Sequence, residues 1–290
     1  MKPKSYPVIL HINCFEQGQS LTEALHLASE IGADGVEFRR LPGGYQGSDL
    51  DYLDELSRAW EHCPMDWISF GGPGVDLMSE DDRQIEKGIS SAERFYRTAA
   101  SRFPLKIVNA FTGNLAASDK PYLEYWHHGS AIATPRQWQS ASDGYARLGS
   151  LAGELGFKFA FETHGVYLHD TIEATSALVE RVGSPHVGIL WDQANLMIFR
   201  EYPTLDEAIS AMGTKLFYVH LKNLLVPPAQ FLSVCALSGG IINIRAQISA
   251  LYRSGYQGPL CIESPRAGDR IQFAHEDISY IKKLIHEIVA

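Results

Sequence analysis

Four apolar runs in the second half of the sequence each end on a residue able to bind a divalent cation. GFKFAFE ends at Glu162, VGILWD at Asp192, KLFYVH at His220 and GPLCIE at Glu263. Three carboxylates and one imidazole form an oxygen-and-nitrogen donor set suited to Mn²⁺, Mg²⁺, Co²⁺ or Zn²⁺ rather than to a thiolate-seeking ion. One such ion, with positions left open, coordinates the carbonyl and neighbouring hydroxyl of a sugar and lowers the cost of the enolate formed when the adjacent carbon loses its proton. The remaining chemistry is proton transfer, for which Glu162 and Glu263 are the candidate catalytic base and acid. Return of the proton to the opposite face inverts a stereocentre, and its movement to the neighbouring carbon interconverts aldose and ketose. Expulsion of a β-hydroxyl gives dehydration. A lone acid at a strand end is more often a cap or a salt-bridge partner, but four ligand types at successive strand ends call for a common explanation, because buried charge is costly unless paired or metal-bound.

The elements that must position these residues follow from periodicity. In GFKFAFETHG, strand alternation puts Phe159 and Phe161 on one side and Ala160, Glu162 and His164 on the other, as expected of a strand between a helix layer and a barrel interior. Earlier strand-like runs are Val8 to Asn13, Gly35 to Arg40, Asp66 to Phe70 and Leu105 to Phe111. Helical patterns fall between them: Ser20, with Glu23 at the capping-box position, opens a helix to about Ile31, and others span Asp49 to His62, Ser79 to Arg102 and Pro135 to Leu155. Further helices are expected over Ile172 to Val182, from Thr204, over Ile244 to Ser254 and over Phe273 to Val289. Eight strand-helix alternations without a composition break predict an α/β fold, a (β/α)₈ TIM barrel forming a single domain over residues 1–290. No GxGxxG follows the first strand, which removes the best support for a doubly wound nucleotide-binding sheet. Two connections are long, about residues 112–134 and 224–240, where most are about 2 to 6 residues. The first is expected to act as a lid or substrate-contacting loop, with Tyr122, Tyr125 and Trp126 supplying an apolar wall.

Other residues at strand ends are candidate substrate contacts. Glu37 and Arg39 share one face of GVEFRR and are either a structural ion pair or substrate ligands. His164 follows Glu162 on the same parity, and Lys222 follows His220 on the inward parity. Arg266, just past Glu263, is a candidate anion site, with a surface salt bridge as the plainer role. The adjacent His127 and His128 are more often solvated than ligating, and the glycines of Ser238 to Gly240 alone make a weak phosphate-site signal.

The 290 residues carry a formal net charge of -9, which argues against a polyanionic partner, since nucleic-acid binding relies on Lys and Arg neutralising phosphates. A small-molecule sugar or keto-polyol fits better, with a homo-oligomer through the aromatic loops as a further possibility. The four cysteines show no CxxC spacing and read as reduced structural thiols, which points to the cytoplasm. No run is long enough to cross a membrane, and Val8 to Ile12 is too short for a signal segment.

GADGVEFR at Gly32 to Arg39, FETH at Phe161 to His164, DQAN at Asp192 to Asn195, VHLKN at Val219 to Asn223 and GYQGPLCIE at Gly255 to Glu263 together resemble successive strand-end motifs of the xylose-isomerase-like barrel superfamily of sugar phosphate isomerases and epimerases. That superfamily also holds inosose dehydratases, dehydroshikimate dehydratases and endonuclease IV. The resemblance covers nearly the whole chain. It implies one divalent ion held by Glu162, Asp192, His220 and Glu263, with the two glutamates doubling as acid and base. Ketose 3-epimerases usually carry histidine where this chain has Asn195, here a candidate substrate contact, and many relatives carry aspartate where Asn223 stands. The ETH and HLKN forms also resemble the dehydroshikimate dehydratase branch. The expected activity is therefore a metal-dependent isomerase or epimerase of a ketose or keto-polyol, with dehydration of an inosose or dehydroshikimate as the alternative and a non-catalytic sugar-binding barrel as the rival from another class. Endonuclease chemistry fits poorly, since the ring is mostly carboxylate and the chain is acidic.

Overall fold

A computed structural model describes residues 5–40, 46–71, 75–122, 124–198, 201–225 and 233–289. In chain order the elements are β1 (Val8–His11), α1 (Leu21–Glu30), β2 (Gly35–Arg39), α2 (Asp49–His62), β3 (Trp67–Gly71), α3 (Asp82–Arg102), β4 (Ile107–Ala110), α4 (Pro135–Leu155), β5 (Lys158–Glu162), α5 (Ile172–Val182) and β6 (Val187–Asp192). They continue with α6 (Gln193–Ile198), α7 (Leu205–Met212), β7 (Leu216–Leu221), the hairpin β8 (Leu224–Leu225) and β9 (Ser233–Val234), α8 (Ile244–Ser254), β10 (Leu260–Ile262) and α9 (Arg270–Val289). Eight strands pair in the order β3-β2-β1-β10-β7-β6-β5-β4, every ladder parallel. A single parallel bridge from Ile68 to Leu105 brings the two edges together, so the sheet forms a nearly closed barrel.

Helix boundaries follow their caps. Ser20 with Glu23, Ser48 with Asp51, Thr134 with Gln137 and Thr204 with Glu207 each form a reciprocal capping box. The α3 helix starts later than the apolar pattern suggests, because the Asp81 side chain accepts from the Arg83 amide and fixes the first turn there. The short α6 was not expected from periodicity. Asp192 Oδ1 accepts from the Asn195 amide at 2.9 Å, so the residue that ends β6 also caps the turn that follows. Within the second long connection, Leu224–Leu225 and Ser233–Val234 pair as antiparallel strands.

Two cores lie on either side of the barrel wall. Phe159, Phe161, Val219 and Leu221 pack outward against the helices in the large cluster, while Ile9, Ile107, Ala160, Leu190, Tyr218 and Cys261 fill the interior. The strand parity read from GFKFAFE therefore matches the structure. The β6–β7 register shifts between Ile189, which faces Leu216, and Leu190, which faces Tyr218, leaving Phe217 as the extra residue of a β-bulge. Phe217 and Trp67 pack beneath the interior cluster, and the ammonium groups of Lys158 and Lys106 cover their rings at 4.3 and 4.2 Å.

The first long connection is stitched down. The Leu115 amide donates to the Val166 carbonyl at 2.7 Å, the Gly129 amide to Leu115 at 2.8 Å and the Ser130 amide to Asp170 Oδ2 at 2.9 Å. His128 is buried within it: its Nδ1 accepts from the Ala117 amide at 2.9 Å, which leaves Nε2–H to donate to the Pro121 carbonyl at 3.1 Å. His127 instead faces Glu124 at the surface, 3.6 Å away. Val166 holds φ at 58°, an uncommon value for a β-branched residue. Gly129 also has positive φ, and a Cβ there would lie 2.2 Å from Asp170 Oδ2. Below this loop, His169 is 0% exposed between the rings of Phe161 and Tyr167, and its Nδ1–H donates to the Glu162 carbonyl.

Two outcomes follow. Gly129→Ala combines backbone strain with a clash and is expected to cost about 1–3 kcal/mol, seen in urea unfolding together with faster proteolytic cleavage within residues 112–134. Burial pushes the His169 imidazole down to about 4 from 6.5. Its contribution to stability is present above about pH 6.5 and lost as pH falls through about 4, on the order of 3 kcal/mol. The urea midpoint of His169→Asn should fall less steeply over that window than that of the parent.

Candidate metal centre

Each expected ligand stands at the carboxyl end of a barrel strand. Glu162 ends β5, Asp192 ends β6, His220 lies one residue before the end of β7, and Glu263 directly follows β10. Register makes Asp192 and His220 cross-strand partners, and the Glu263 amide donates to the Leu221 carbonyl at 3.0 Å. One ligand atom from each of the four lies within 4.8 Å of the others. Ligand bonds of about 2.0–2.5 Å keep two donors on one ion no more than roughly 4–5 Å apart, so this spread suits a single cation.

The polar contacts are directional. Glu162 accepts at both oxygens, from Asn195 Nδ2 on Oε1 at 2.9 Å and from Asn109 Nδ2 on Oε2 at 2.7 Å. Glu263 Oε1 accepts from Asn13 Nδ2 at 3.1 Å, and its Oε2 lies 3.2 Å from His220 Nδ1 and 2.8 Å from Lys222 Nζ. Lys222 Nζ also lies 2.9 Å from Asp192 Oδ2 and donates to Asn195 Oδ1 at 3.2 Å. The Asp192 Oδ2 contact lacks hydrogen-bond geometry, so that buried oxygen has an ion-pair neighbour but no hydrogen bond. An under-satisfied buried carboxylate beside two others, with an imidazole facing them, fits a divalent cation.

Burial drives the ring's carboxyl groups upward, and their neighbours decide the outcome. For Glu162 the His220 charge and hydrogen bond outweigh burial and hold it at about 2. For Glu263 the Lys222 and His220 contacts hold it well below the usual carboxylate range. Asp192 is raised, because Lys222 does not offset burial and the like charges of Glu263 and Glu162. Burial lowers His220 and Lys222, but the carboxylates around them win and raise both. Without a metal, Lys222 and His220 are thus the cations this cluster relies on.

The remaining candidates divide sharply. His164 is half-buried at the rim, its Nδ1 3.0 Å from the Gly165 carbonyl and its ring edge-on to Phe111 and Tyr167. Asn195 and Lys222 join the ring itself. Glu37, expected beside Arg39 or at substrate, is 0% exposed and lies beneath His220, with Oε2 3.2 Å from His220 Nε2 and Oε1 accepting from Asn109. Arg39 turns the other way and pairs with Glu16 through two contacts of 2.6 and 3.1 Å. Arg266 is fastened to α9 through Asp277 at 2.8 Å, the Phe273 carbonyl and the Phe273 ring, so it anchors the helix instead of lining an anion site. Trp126 is 43% exposed on a 3₁₀ turn, Tyr125–His127, with its ring against His127. Asn223 is a loop clasp: its Oδ1 accepts from the Leu224 and Ile242 amides at 2.9 Å, and its Nδ2 donates to the Leu237 and Ile242 carbonyls. Gly240 leaves room for it, since a Cβ there would meet Asn223 Oδ1 at 2.5 Å.

Three neighbours of the ring escaped the sequence reading: Asn109, Asn13 and His11. Asn109 and His11 each carried a signal, a polar residue at the inward parity of an apolar strand, in step with Ile107 and Ile9. His11 Nδ1 accepts from the Asn13 amide, so its Nε2–H faces Glu37 Oε1 at 3.8 Å.

The family model described as xylose isomerase-like TIM barrel matches residues 25–284. A xylose isomerase-like TIM barrel protein from Mycobacterium smegmatis, solved in complex with magnesium, superposes with a TM-score of 0.76 at 21% identity, covering 100% of both chains. D-allulose 3-epimerase from Methylomonas sp. superposes at 0.74 with 16% identity, covering 98% of this chain and 99% of that one. At such identities these likenesses concern the fold. Inosose dehydratase from Geobacillus thermodenitrificans (strain NG80-2) is 26% identical over 171 residues, 52% of this chain and 56% of that protein, so the match spans little more than half of the relative. With eight parallel strands, ligand types gathered at their carboxyl ends and a family match over most of its length, the chain belongs to the xylose isomerase-like TIM barrel family.

Proposed function

We propose that the chain is a divalent-metal-dependent isomerase or epimerase of a ketose or keto-polyol, with Glu162, Asp192, His220 and Glu263 as ligands and the two glutamates as proton carriers. The observation that carries this reading is the convergence of those four side chains from four strands to within 4.8 Å at one end of the barrel. A divalent ion bound there supplies Lewis acidity to a carbonyl and an adjacent hydroxyl, which lowers the cost of ionising the neighbouring C–H bond. Glu162 and Glu263 are the groups able to take that proton and return it. Asn109 and Asn195 hold both oxygens of Glu162 by hydrogen bonds that favour the ionised form, and Asn13 does the same for one oxygen of Glu263. Return of the proton to the opposite face of the same carbon epimerises the sugar, and return to the neighbouring carbon isomerises it.

A second reading, dehydration of a cyclic keto-polyol, is favoured by Lys222. Its ammonium between Asp192 and Glu263 adds a positive charge and N–H donors beyond the two glutamates, able to hold a departing β-hydroxyl by hydrogen bond while a glutamate supplies the proton that leaves with it as water. The partial match to inosose dehydratase supports the same reading.

Proton NMR in D₂O over a panel of ketoses and inososes tests both. Solvent deuterium entering a retained carbon skeleton supports proton relay within an isomerase or epimerase, while water loss with a new unsaturated or deoxy-keto product supports the lyase. If water is lost, Lys222→Gln should keep deuterium exchange and lose elimination. Glu162→Gln and Glu263→Gln are each expected to lower turnover by about 10²–10⁴-fold. Binding of a sugar with no turnover in the parent would point to a non-catalytic barrel, and turnover unchanged in Glu162→Gln would remove Glu162 from the chemistry. For the metal, the parent should carry about one divalent ion per chain and the Glu162→Gln, Asp192→Asn double variant far less. A parent that stays metal-free after incubation with Mn²⁺, Co²⁺ and Zn²⁺ would sink the mechanism.

A further inference from the structure

Glu37 is a carboxylate in the barrel interior with no part of it exposed. A charge buried that deeply is expensive unless every lone pair finds a donor. Its Oε1 accepts from Asn109 Nδ2 at 3.2 Å and faces His11 Nε2 at 3.8 Å, and its Oε2 lies 3.2 Å from His220 Nε2. The wall is shaped around it: Gly71 ends β3 beside the carboxylate, and a Cβ there would come within 2.6 Å of Glu37 Oε1. The chain thus keeps both a buried charge and the space for it.

His220 is what that charge addresses. Its two ring nitrogens face opposite ways, Nε2 down to Glu37 and Nδ1 up to the ring, 3.2 Å from Glu263 Oε2 and 3.7 Å from Glu162 Oε1. A neutral imidazole has one donor and one acceptor nitrogen. With a cation in the ring in place of the Nδ1 proton the imidazole is neutral, and because a carboxylate only accepts, the Glu37 contact keeps the remaining proton on Nε2 and the Nδ1 lone pair faces the side of Glu263 and Glu162. The opposite tautomer would set a lone pair against Glu37 and a proton where a cation needs an electron pair. Asn109 ties the two levels together, donating to Glu37 and Glu162 from one amide.

We propose that Glu37 is a positioning residue that holds His220 in the Nε2–H tautomer, so that a divalent cation in the ring is ligated through His220 Nδ1. This rests on the metal-site reading above. Glu37 touches neither substrate nor ion; it acts through the imidazole, as carboxylates behind ligating histidines do elsewhere. The buried Cys261 thiol also lies near Glu37 and His220 and defines the rival arrangement, a second ion held below the ring by Glu37, His220 and Cys261.

Co²⁺ titration of the metal-free protein, followed by visible absorption and metal stoichiometry, separates these possibilities. The parent is expected to take up one ion without a thiolate-to-cobalt charge-transfer band, and Glu37→Gln to bind it about 10–100-fold more weakly. In a His220→Gln background, Glu37→Gln should cost at most about twofold more, because its effect passes through the imidazole. Equal affinity in the parent and Glu37→Gln, or an undiminished loss in the His220→Gln background, overturns the proposal. So does a second ion with a thiolate band. Should Glu37→Gln fail to fold, ¹⁵N-histidine spectra of the Zn²⁺-loaded parent decide: a metal-bound Nδ1 and protonated Nε2 on His220 support it, and the reverse assignment overturns it. A parent that binds no Co²⁺ or Zn²⁺ fails the metal reading itself, and this inference with it.

Discussion

Everything at the carboxyl end of the barrel answers one electrostatic demand: four carboxylates, Glu37, Glu162, Asp192 and Glu263, share a largely buried volume with one ammonium and two imidazoles, those of His11 and His220. Desolvation alone would neutralise acids placed so deeply. The surroundings are therefore donors. Asn13, Asn109 and Asn195 point amide N–H groups at carboxylate oxygens, and Lys222 bridges Asp192 and Glu263. A bare apolar barrel could not hold such a cluster. Conversely, the cluster leaves an excess of negative charge that the protein's own groups do not cancel, which is the condition a divalent cation meets.

The barrel converts that demand into sequence. Because parallel strands place their last residues on one rim, ligands separated by as many as a hundred positions need only the right strand parity to meet. The β-bulge at Phe217 shows how the parity is kept: the extra residue is absorbed low in β7, and Tyr218 and His220 then face the interior in step with Leu190 and Asp192. Above the rim, the first long connection is tied to the β5–α5 loop by the Leu115 amide on the Val166 carbonyl and the Ser130 amide on Asp170 Oδ2, and is folded on itself by the Gly129 amide and the buried His128.

Much of this was legible because it is local. Helices over Asp49–His62, Pro135–Leu155, Ile172–Val182 and Ile244–Ser254 agree at both ends with the caps and periodicity of the sequence. The four strand-end residues meet because strand parity is a period-2 rule and the barrel supplies the convergence. What escaped was decided by depth and by choice of partner. Glu37 and Arg39 share a strand face, yet one is drawn down to His220 and the other out to Glu16, and nothing in GVEFRR distinguishes an acid one layer below the rim from one on it. Arg266 was one of several cations near Glu263; only the packing of α9 reveals that Asp277 claims it. Asn13 and Asn109 are short polar residues whose importance comes from neighbours on other strands. The α6 turn is capped by a ligand candidate, a dual use that helical periodicity does not record.

The base of the barrel is sealed by Trp67 and Phe217 under a dry layer of Ile9, Ile107, Ala160, Leu190, Tyr218 and Cys261. Among the described residues that layer closes the barrel below the cluster, so the carboxylates face the rim. Under the two-glutamate relay proposed above, the hydrogen taken by one carboxylate stays on its side of the site while the other carboxylate returns a proton to the opposite face. A single inversion would then leave the product carrying a hydrogen drawn from solvent before the substrate entered, and the original hydrogen would be shed only after the product leaves.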